Sequence, residues 1–167
     1  KALIEDPSKP FFNRIVQATY PPGSIYKSIT SLAGLSLGVI DTSTVLEPCP
    51  GGMDFGNRYF RCWKRTGHGI VDHTEAMVFS CDTYYYQLGL RMEIDQLAEA
   101  ARSFGLGNRV SDIFPSEASG IVPDAKYYDN LFGRHKWTRG VLLNNSIGQG
   151  EILVTPLQMA IFTARIA

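Results

Sequence analysis

The chain has 167 residues, and its sixteen acidic and sixteen basic side chains give a formal net charge of zero. Because the charges balance and there is no block of basic residues, nothing in the charge pattern favours binding to nucleic acid or to a charged membrane surface. A hydrophobic content of 44% over this length is enough to bury one sizeable globular core.

The first predicted helix begins at or just before Ser24, because the preceding Tyr-Pro-Pro-Gly sequence cannot continue regular structure. Apolar residues then recur at helical spacing up to residue 37, which predicts a buried helix. Lys27 stands one turn after Ser24 on the same face. A buried lysine must be neutral or paired, and a neutral amine could take the proton of the Ser24 hydroxyl. The Ser24 backbone N–H lies among the unsatisfied donors of the first turn, where developing negative charge is favoured.

The middle of the chain, residues 49–69, is rich in glycine and aromatic residues, which predicts loops with short strands around residues 57–63. Such a stretch contains no predicted helix, so its structure must be stabilised in another way. Cys49, Cys62, His68 and Cys81 supply three thiolates and one imidazole, a ligand set suited to a structural tetrahedral Zn²⁺.

Several alternatives to this metal site stay open at the level of sequence. Cys49 and Cys62 could form a disulfide, since exported proteins usually oxidise their cysteines in pairs. The thiols could instead remain unbridged in the core, or Cys81 could be a reactive thiol. His73 is an alternative imidazole ligand to His68.

The remaining chain is predicted to be mostly helical. Residues 74–80 have helical spacing with Thr74 as the N-cap, and residues 83–92 and 94–104 read as two further apolar helices. The polar and aromatic stretch 116–139 is predicted to be a surface loop beside a substrate groove. Thr155 as an N-cap, with Pro156 at the first helical position, predicts a helix over residues 157–167. There is no glycine-rich turn between a strand and a helix, so no nucleotide or other organic cofactor is expected.

The sequence from Pro21 to Lys27 resembles the active-site helix of the penicillin-binding protein and serine β-lactamase superfamily. Ser80-Cys81-Asp82 resembles the second motif of that superfamily. Aspartate at the last position of this motif is typical of the penicillin-binding protein 2 group. Further similarity to that group extends over most of the chain, in residues 63–69, 145–150 and 155–160.

This resemblance implies an α+β transpeptidase fold of which the chain holds mainly the helical part with a loop-rich insertion. It also implies a peptidoglycan D,D-transpeptidase in which Ser24 is the nucleophile and Lys27 the base. Ser80 would relay a proton, and Asp82 would orient Lys27 or the donor peptide. β-Lactams should acylate the same serine. Relatives place a zinc site at the positions that Cys62, His68 and Cys81 match, with Cys49 as the fourth ligand here.

The third family motif, Lys-Thr/Ser-Gly, does not occur after residue 150. Residues 1–167 are therefore expected to be a partial transpeptidase domain, an internal part of a larger protein anchored to the membrane and acting on its extracytoplasmic side. By resemblance, its partners are peptidoglycan stem peptides, a SEDS-type glycosyltransferase and the elongation machinery. A serine β-lactamase, a β-lactam sensor and a catalytically incomplete, partner-binding fragment are the alternatives.

Overall fold

The computed structural model describes residues 5–167, which contain seven α-helices and a two-stranded sheet. This mixture confirms the α+β class. In chain order the elements are α1 Lys27–Ser36, β1 Gly52–Phe55, β2 Arg58–Arg61, α2 His73–Val78, α3 Asp82–Gly89, α4 Ile94–Ser103, α5 Ala125–Phe132, α6 Gly140–Ser146 and α7 Pro156–Ile166. None of the helices in the described part is long and apolar enough to cross a bilayer.

Helix α3 lies at the centre of the core, between α1 and α6. Small residues allow this close approach: a Cβ on Gly89 would come within 2.7 Å of the Ser146 Cβ, and one on Gly34 within 2.9 Å of Leu88 Cδ1. Contacts this short require glycine. The close packing brings the N-terminal end of α3 next to the N-terminal end of α1, where the predicted site residues lie.

The hairpin β1–β2 is antiparallel and pairs Gly52 with Arg61 and Phe55 with Arg58. It confirms the short strands predicted near residues 57–63. The Tyr86 hydroxyl donates to the Arg61 carbonyl at 2.9 Å, which fastens the hairpin to α3. A second pairing, between Cys49 and Gly69, closes the loop that follows the hairpin. The loop-rich middle is therefore held on the side of α3.

Helix α2 corrects one prediction, because its N-cap is Asp72 and not Thr74. The Asp72 carboxylate accepts the Glu75 N–H at 2.8 Å, and the Glu75 carboxylate accepts the Asp72 N–H at 3.1 Å. This reciprocal pair satisfies two free donors of the first turn. The Thr74 hydroxyl instead donates to the Thr42 carbonyl.

The prediction of a loop over residues 116–139 was wrong in its centre, where α5 forms. The Asp124 carboxylate caps α5 by accepting the Tyr127 N–H at 2.7 Å, and Tyr128 is fully buried. The following α6 was not predicted from the sequence. Helix α7 confirms its prediction, since Thr155 and Gln158 form a reciprocal cap around Pro156. The helix predicted over residues 83–92 is α3, which begins one residue earlier and ends at Gly89.

Candidate active site and metal centre

Ser24 lies in a 3-10 turn, Gly23–Tyr26, that leads directly into α1. In this geometry residues three apart stand above one another, so Ser24 and Lys27 share a face. Gly23 has φ +60° and donates its N–H to the Gly148 carbonyl at 2.9 Å. The start of the helix at or before Ser24 is confirmed, although the chain becomes α-helical only at Lys27. The turn presents the Ser24 side chain at the surface.

Lys27 is only 1% exposed, and three acceptors surround its amine. The Nζ atom lies 2.6 Å from Asp82 Oδ1, 2.9 Å from Ser80 Oγ and 2.8 Å from the Ser80 carbonyl oxygen. An ammonium group has three hydrogens to donate, so all of them find an acceptor. Of the two states expected for a buried lysine, the structure therefore has the paired one.

Ser80 and Asp82 are fixed by the junction between α2 and α3. Ser80 has φ +52°, a left-handed conformation that turns the chain sharply and directs both of its oxygens to Lys27. Asp82 is the first residue of α3, where a carboxylate is favoured by the helix dipole. Its second oxygen, Oδ2, accepts the backbone N–H of Trp63 at 2.9 Å. Asp82 thus joins the lysine of α1 to the loop after β2.

These residues open into one cleft of about 600 Å³. Its lining brings Ser24, Ser80 and Asp82 together, as the sequence predicted, and adds residues that sequence reasoning had not assigned to the site: Arg61, Cys62, Trp63, Arg65, Tyr86, Ile147 and Gln149. None of residues 116–139 lines it, so their predicted place beside the groove stays a prediction. The resemblance to the family around Trp63 and Gln149 was the available signal, but nothing in the sequence places these segments beside Ser24.

The second cluster lies directly behind this cleft. The side-chain ligand atoms of Cys49, Cys62, His68 and Cys81 all lie within 4.8 Å of one another. His68 Nδ1 is 3.5 Å from Cys62 Sγ and 3.8 Å from Cys49 Sγ. In a tetrahedral zinc site, bond lengths of ~2.3 Å to sulfur and ~2.0 Å to nitrogen give a nitrogen-to-sulfur separation of about 3.5 Å. The four residues therefore fit a tetrahedral ion in both chemistry and spacing.

The three cysteines are free, so the Cys49–Cys62 disulfide is not formed. Hydrogen bonding from Cys81 lowers the pKa of the Cys62 thiol to about 4. The same contact, together with burial, raises the pKa of Cys81.

His68 is oriented by two aromatic rings. Its imidazole stacks on Phe79 with centroids 5.9 Å apart, and the edge of Trp63 packs against it at 5.3 Å. The Nε2 atom is buried and has no hydrogen-bond partner within residues 5–167. His73 does not belong to the cluster, because its Nε2 lies 2.9 Å from Ser31 Oγ. The alternative of His73 as the imidazole ligand was therefore wrong.

The two clusters share the backbone that carries them. Cys81 lies between Ser80 and Asp82, and Cys62 directly precedes Trp63, whose N–H is bonded to Asp82. Any group that fixes the two thiols also fixes the two residues, Ser80 and Asp82, that accept from Lys27.

The model of the penicillin-binding protein transpeptidase domain family matches residues 2–167. A relative from Acinetobacter baumannii, named peptidoglycan D,D-transpeptidase MrdA, is 39% identical over 164 residues. The alignment covers 98% of this chain but 24% of that relative. The chain thus spans about a quarter of the length of the curated relatives it matches.

Solved structures give the same assignment of fold. Penicillin-binding protein 2 from Helicobacter pylori, in a complex with MreC, superposes with a TM-score of 0.91 at 38% identity. The match covers 99% of this chain and 31% of that one. The ceftriaxone acyl-enzyme complex of penicillin-binding protein A from M. tuberculosis is similar with a TM-score of 0.82 at 29% identity, covering 99% of this chain and 35% of that one.

Proposed function

This chain belongs to the penicillin-binding protein transpeptidase family, within the penicillin-binding protein 2 group, and on that premise we propose that it carries the acylation site of a peptidoglycan D,D-transpeptidase. The observation that carries this proposal is the convergence of Ser24, Ser80 and Asp82 on one cleft, with Lys27 buried against Ser80 and Asp82. The substrate is the D-alanyl-D-alanine end of a stem peptide, and β-lactams are its covalent mimics.

In the first step the Ser24 hydroxyl attacks the carbonyl carbon of the penultimate D-alanine. Its proton passes to the Lys27 amine, which must be in its neutral form for this step and becomes an ammonium ion. Ser80 and Asp82, whose oxygens lie within 2.9 Å of Nζ, stabilise the positive charge of that ion. The first-turn N–H of Ser24 supplies one donor to the oxyanion.

The second half of acylation needs a proton for the departing D-alanine amine. Ser80 is suited to deliver it, because its hydroxyl lines the cleft and lies 2.9 Å from Lys27 Nζ. The proton moves from Lys27 through the Ser80 hydroxyl to the amine, and the C–N bond breaks. The amine of a neighbouring stem peptide then attacks the Ser24 ester, forms the cross-link and frees the serine.

Asp82 touches neither the serine nor the substrate in this scheme. It positions Lys27 through Oδ1 and the Trp63 loop through Oδ2. A carboxylate at this point keeps the amine on the side of α1 that carries Ser24.

We also propose that Cys49, Cys62, Cys81 and Nδ1 of His68 hold a structural Zn²⁺. The support is the donor set and its spacing, which match a tetrahedral zinc site. Such an ion supplies folding energy and no chemistry at the peptide. Its effect on the reaction is to hold Ser80 and Asp82 in place through Cys81.

The cellular location and the binding partners are proposed from the same family membership. Stem peptides lie on the extracytoplasmic side of the membrane, so the site must face that side, carried by a protein with a membrane anchor. The complex of the Helicobacter pylori relative with MreC makes a scaffold protein of the elongation machinery a candidate partner. A SEDS-type glycosyltransferase stays a prediction from the family resemblance.

Labelling with a fluorescent penicillin tests the acylation site in the complete protein as the cell makes it. We expect one covalent label per molecule, which Ser24→Ala abolishes while thermal unfolding stays unchanged. Label that survives Ser24→Ala would remove Ser24 as the nucleophile. Rapid release of the label by hydrolysis would assign the site to a β-lactamase instead.

A further inference from the structure

The cleft at Ser24 carries an excess of positive charge that the acyl-transfer scheme does not use. Arg61 and Arg65 both line it, and both side chains are exposed. The only acidic residue in the lining is Asp82. Both of its oxygens are already engaged, one by Lys27 and the other by the Trp63 N–H. The cleft therefore presents two guanidinium groups with no carboxylate of its own to balance them.

Neither arginine forms an ion pair inside the described part of the chain. The ion pairs found in residues 5–167 involve Lys27, Arg102 and Arg139. The arginines of the other two pairs also donate to backbone carbonyls, which ties them to the fold. No such bond occupies the Arg61 or Arg65 guanidinium among residues 5–167. Their donors are thus available to a ligand in the cleft.

The backbone that carries these arginines is fixed, although their side chains are exposed. Arg61 ends β2, pairs with Gly52, and accepts the Tyr86 hydroxyl at its carbonyl. The Arg65 carbonyl packs so closely on Gly51 that a Cβ there would lie 2.2 Å from it. Both residues flank the loop that carries Cys62 and Trp63. Because the backbone is already ordered, ligand binding has to order only the two side chains.

We propose that Arg61 and Arg65 form a carboxylate-binding subsite for the donor peptide whose carbonyl reacts with Ser24. Guanidinium groups match the planar geometry of a carboxylate through paired N–H···O bonds. The group recognised is a free carboxylate of the peptide on the N-terminal side of the scissile D-alanine bond. The exposed indole of Trp63, between the two arginines in sequence, offers an apolar surface for the chain that carries it.

The inference rests on the proposed acylation of Ser24, and it adds charge selectivity to that reaction. An acidic donor is drawn into the cleft and held beside the serine, whereas a cationic donor is repelled. Because the subsite is open to solvent, the selectivity weakens as ionic strength rises. This selectivity arises from the wall of the cleft and requires no change in the hydrogen bonds of Lys27.

Three penicillins of one scaffold test this proposal: benzylpenicillin, its α-carboxylated analogue and its α-amino analogue. The side chain of a penicillin takes the place of the donor peptide on the N-terminal side of the reacting carbonyl. The second-order rate of Ser24 acylation is measured for each with the complete protein. We expect the carboxylated analogue to react about tenfold faster than the amino analogue, with benzylpenicillin between them.

Removing the arginines should remove the selectivity. In the double variant Arg61→Gln with Arg65→Gln, the three rates should agree within about twofold, and Arg65→Glu should make the amino analogue the fastest. Lys64→Gln is the matched control, because it removes a charge from the same loop at a residue outside the cleft lining. It should keep the wild-type order. The result is a ratio of rates, so partial misfolding of a variant does not imitate it.

The possible outcomes separate the subsite from the reaction it serves. Equal rates for all three penicillins in the wild type, or the wild-type order retained in the double glutamine variant, would overturn the carboxylate subsite alone. An equal loss of selectivity in Lys64→Gln would also overturn it, in favour of a diffuse surface field. Failure of every penicillin to acylate Ser24 would overturn the proposed function itself.

Discussion

Two buried polar clusters meet at Cys81, and they differ in how their polar atoms are satisfied. Around Lys27, every donor has an acceptor supplied by Ser80 or Asp82. Around His68, three thiols and an imidazole face one another, with their ligand atoms within 4.8 Å of one another. The first cluster is complete with protein atoms alone, whereas the second has the composition of a site that a cation completes. On the proposed zinc assignment, the catalytic cluster is built on a neighbour that a metal ion would stabilise.

The largest effect should follow from breaking the complete cluster. Asp82→Ala leaves the Lys27 charge buried without its carboxylate, which should lower the free energy of unfolding by about 3–5 kcal/mol. Acylation by benzylpenicillin should fall at least about a hundredfold, because the amine is no longer held in place. Urea unfolding and the acylation rate measure the two effects on the same variant.

A double variant separates the cost of the unpaired charge from the loss of function. Lys27→Met combined with Asp82→Asn removes both charges and keeps an acceptor for the Trp63 N–H. It should recover most of the stability and none of the acylation. A double variant as unstable as Asp82→Ala would show that the pairing of charges does not govern the stability of this cluster.

Removing the proposed Zn²⁺ from the cysteine and histidine cluster should have the next largest effect on stability. When free Zn²⁺ is about a hundredfold above its Kd, binding stabilises the folded chain by about 2.7 kcal/mol. Chelation, or Cys49→Ser, should therefore lower the unfolding temperature and abolish the zinc found by elemental analysis. His73→Gln is the control, since that imidazole lies outside the cluster. Unchanged zinc content in Cys49→Ser would exclude Cys49 as a ligand.

A smaller effect is expected where the turn before Ser24 contacts the residues ahead of α7. Gly148 has φ +70°, and a Cβ on it would lie 2.3 Å from the Gly23 carbonyl. Gly148→Ala should cost about 1–3 kcal/mol and slow acylation by displacing the turn. Gly38→Ala is matched in backbone strain, with φ +67° and no atom near the added methyl group. It should cost about 1 kcal/mol and leave the acylation rate unchanged. Equal acylation rates in both variants would argue against this contact as a support of Ser24.

The smallest effect is a dependence of stability on alkaline pH, and near neutral pH this dependence is absent. Burial raises the pKa of Tyr85, whose ring faces Lys27 Nζ at 5.5 Å, to about 12. The unfolded chain loses this proton near pH ~10, so it binds fewer protons than the folded chain between the two values. The contribution to stability is thus complete below pH ~10 and is lost as the pH rises toward about 12. Urea midpoints should fall less steeply over this window in Tyr85→Phe than in the wild type, and parallel curves would contradict the assignment.

The residues of both clusters could be predicted from the sequence, whereas the contacts between them could not. Ser24 and Lys27 could be placed on one face from their spacing, and the resemblance supplied Ser80 and Asp82. What the spacing could not decide was whether Lys27 is neutral or paired, because that depends on a residue 55 positions further along the chain. The four metal-binding candidates were likewise identified by chemistry, while their meeting required the fold.

Other features were missed for local reasons. Asp72 and Thr74 are both good caps, and only the extended backbone at Asp72 decided between them. Helix α5 was hidden because Tyr128 is its only fully enclosed residue, within a stretch otherwise rich in polar and aromatic side chains. Arg61 and Arg65 look like ordinary exposed charges in sequence, and only the folded cleft brings them to Ser24.

The most direct test of Ser24 as the nucleophile is to map where benzylpenicillin becomes attached. Trypsin separates the two nucleophile candidates, since residues 15–27 contain Ser24 and residues 66–91 contain Ser80 and Cys81. We expect mass spectrometry to find the penicilloyl group on Ser24 in the first peptide, with Cys81 unmodified. A penicilloyl group on Cys81 in the second peptide would contradict it.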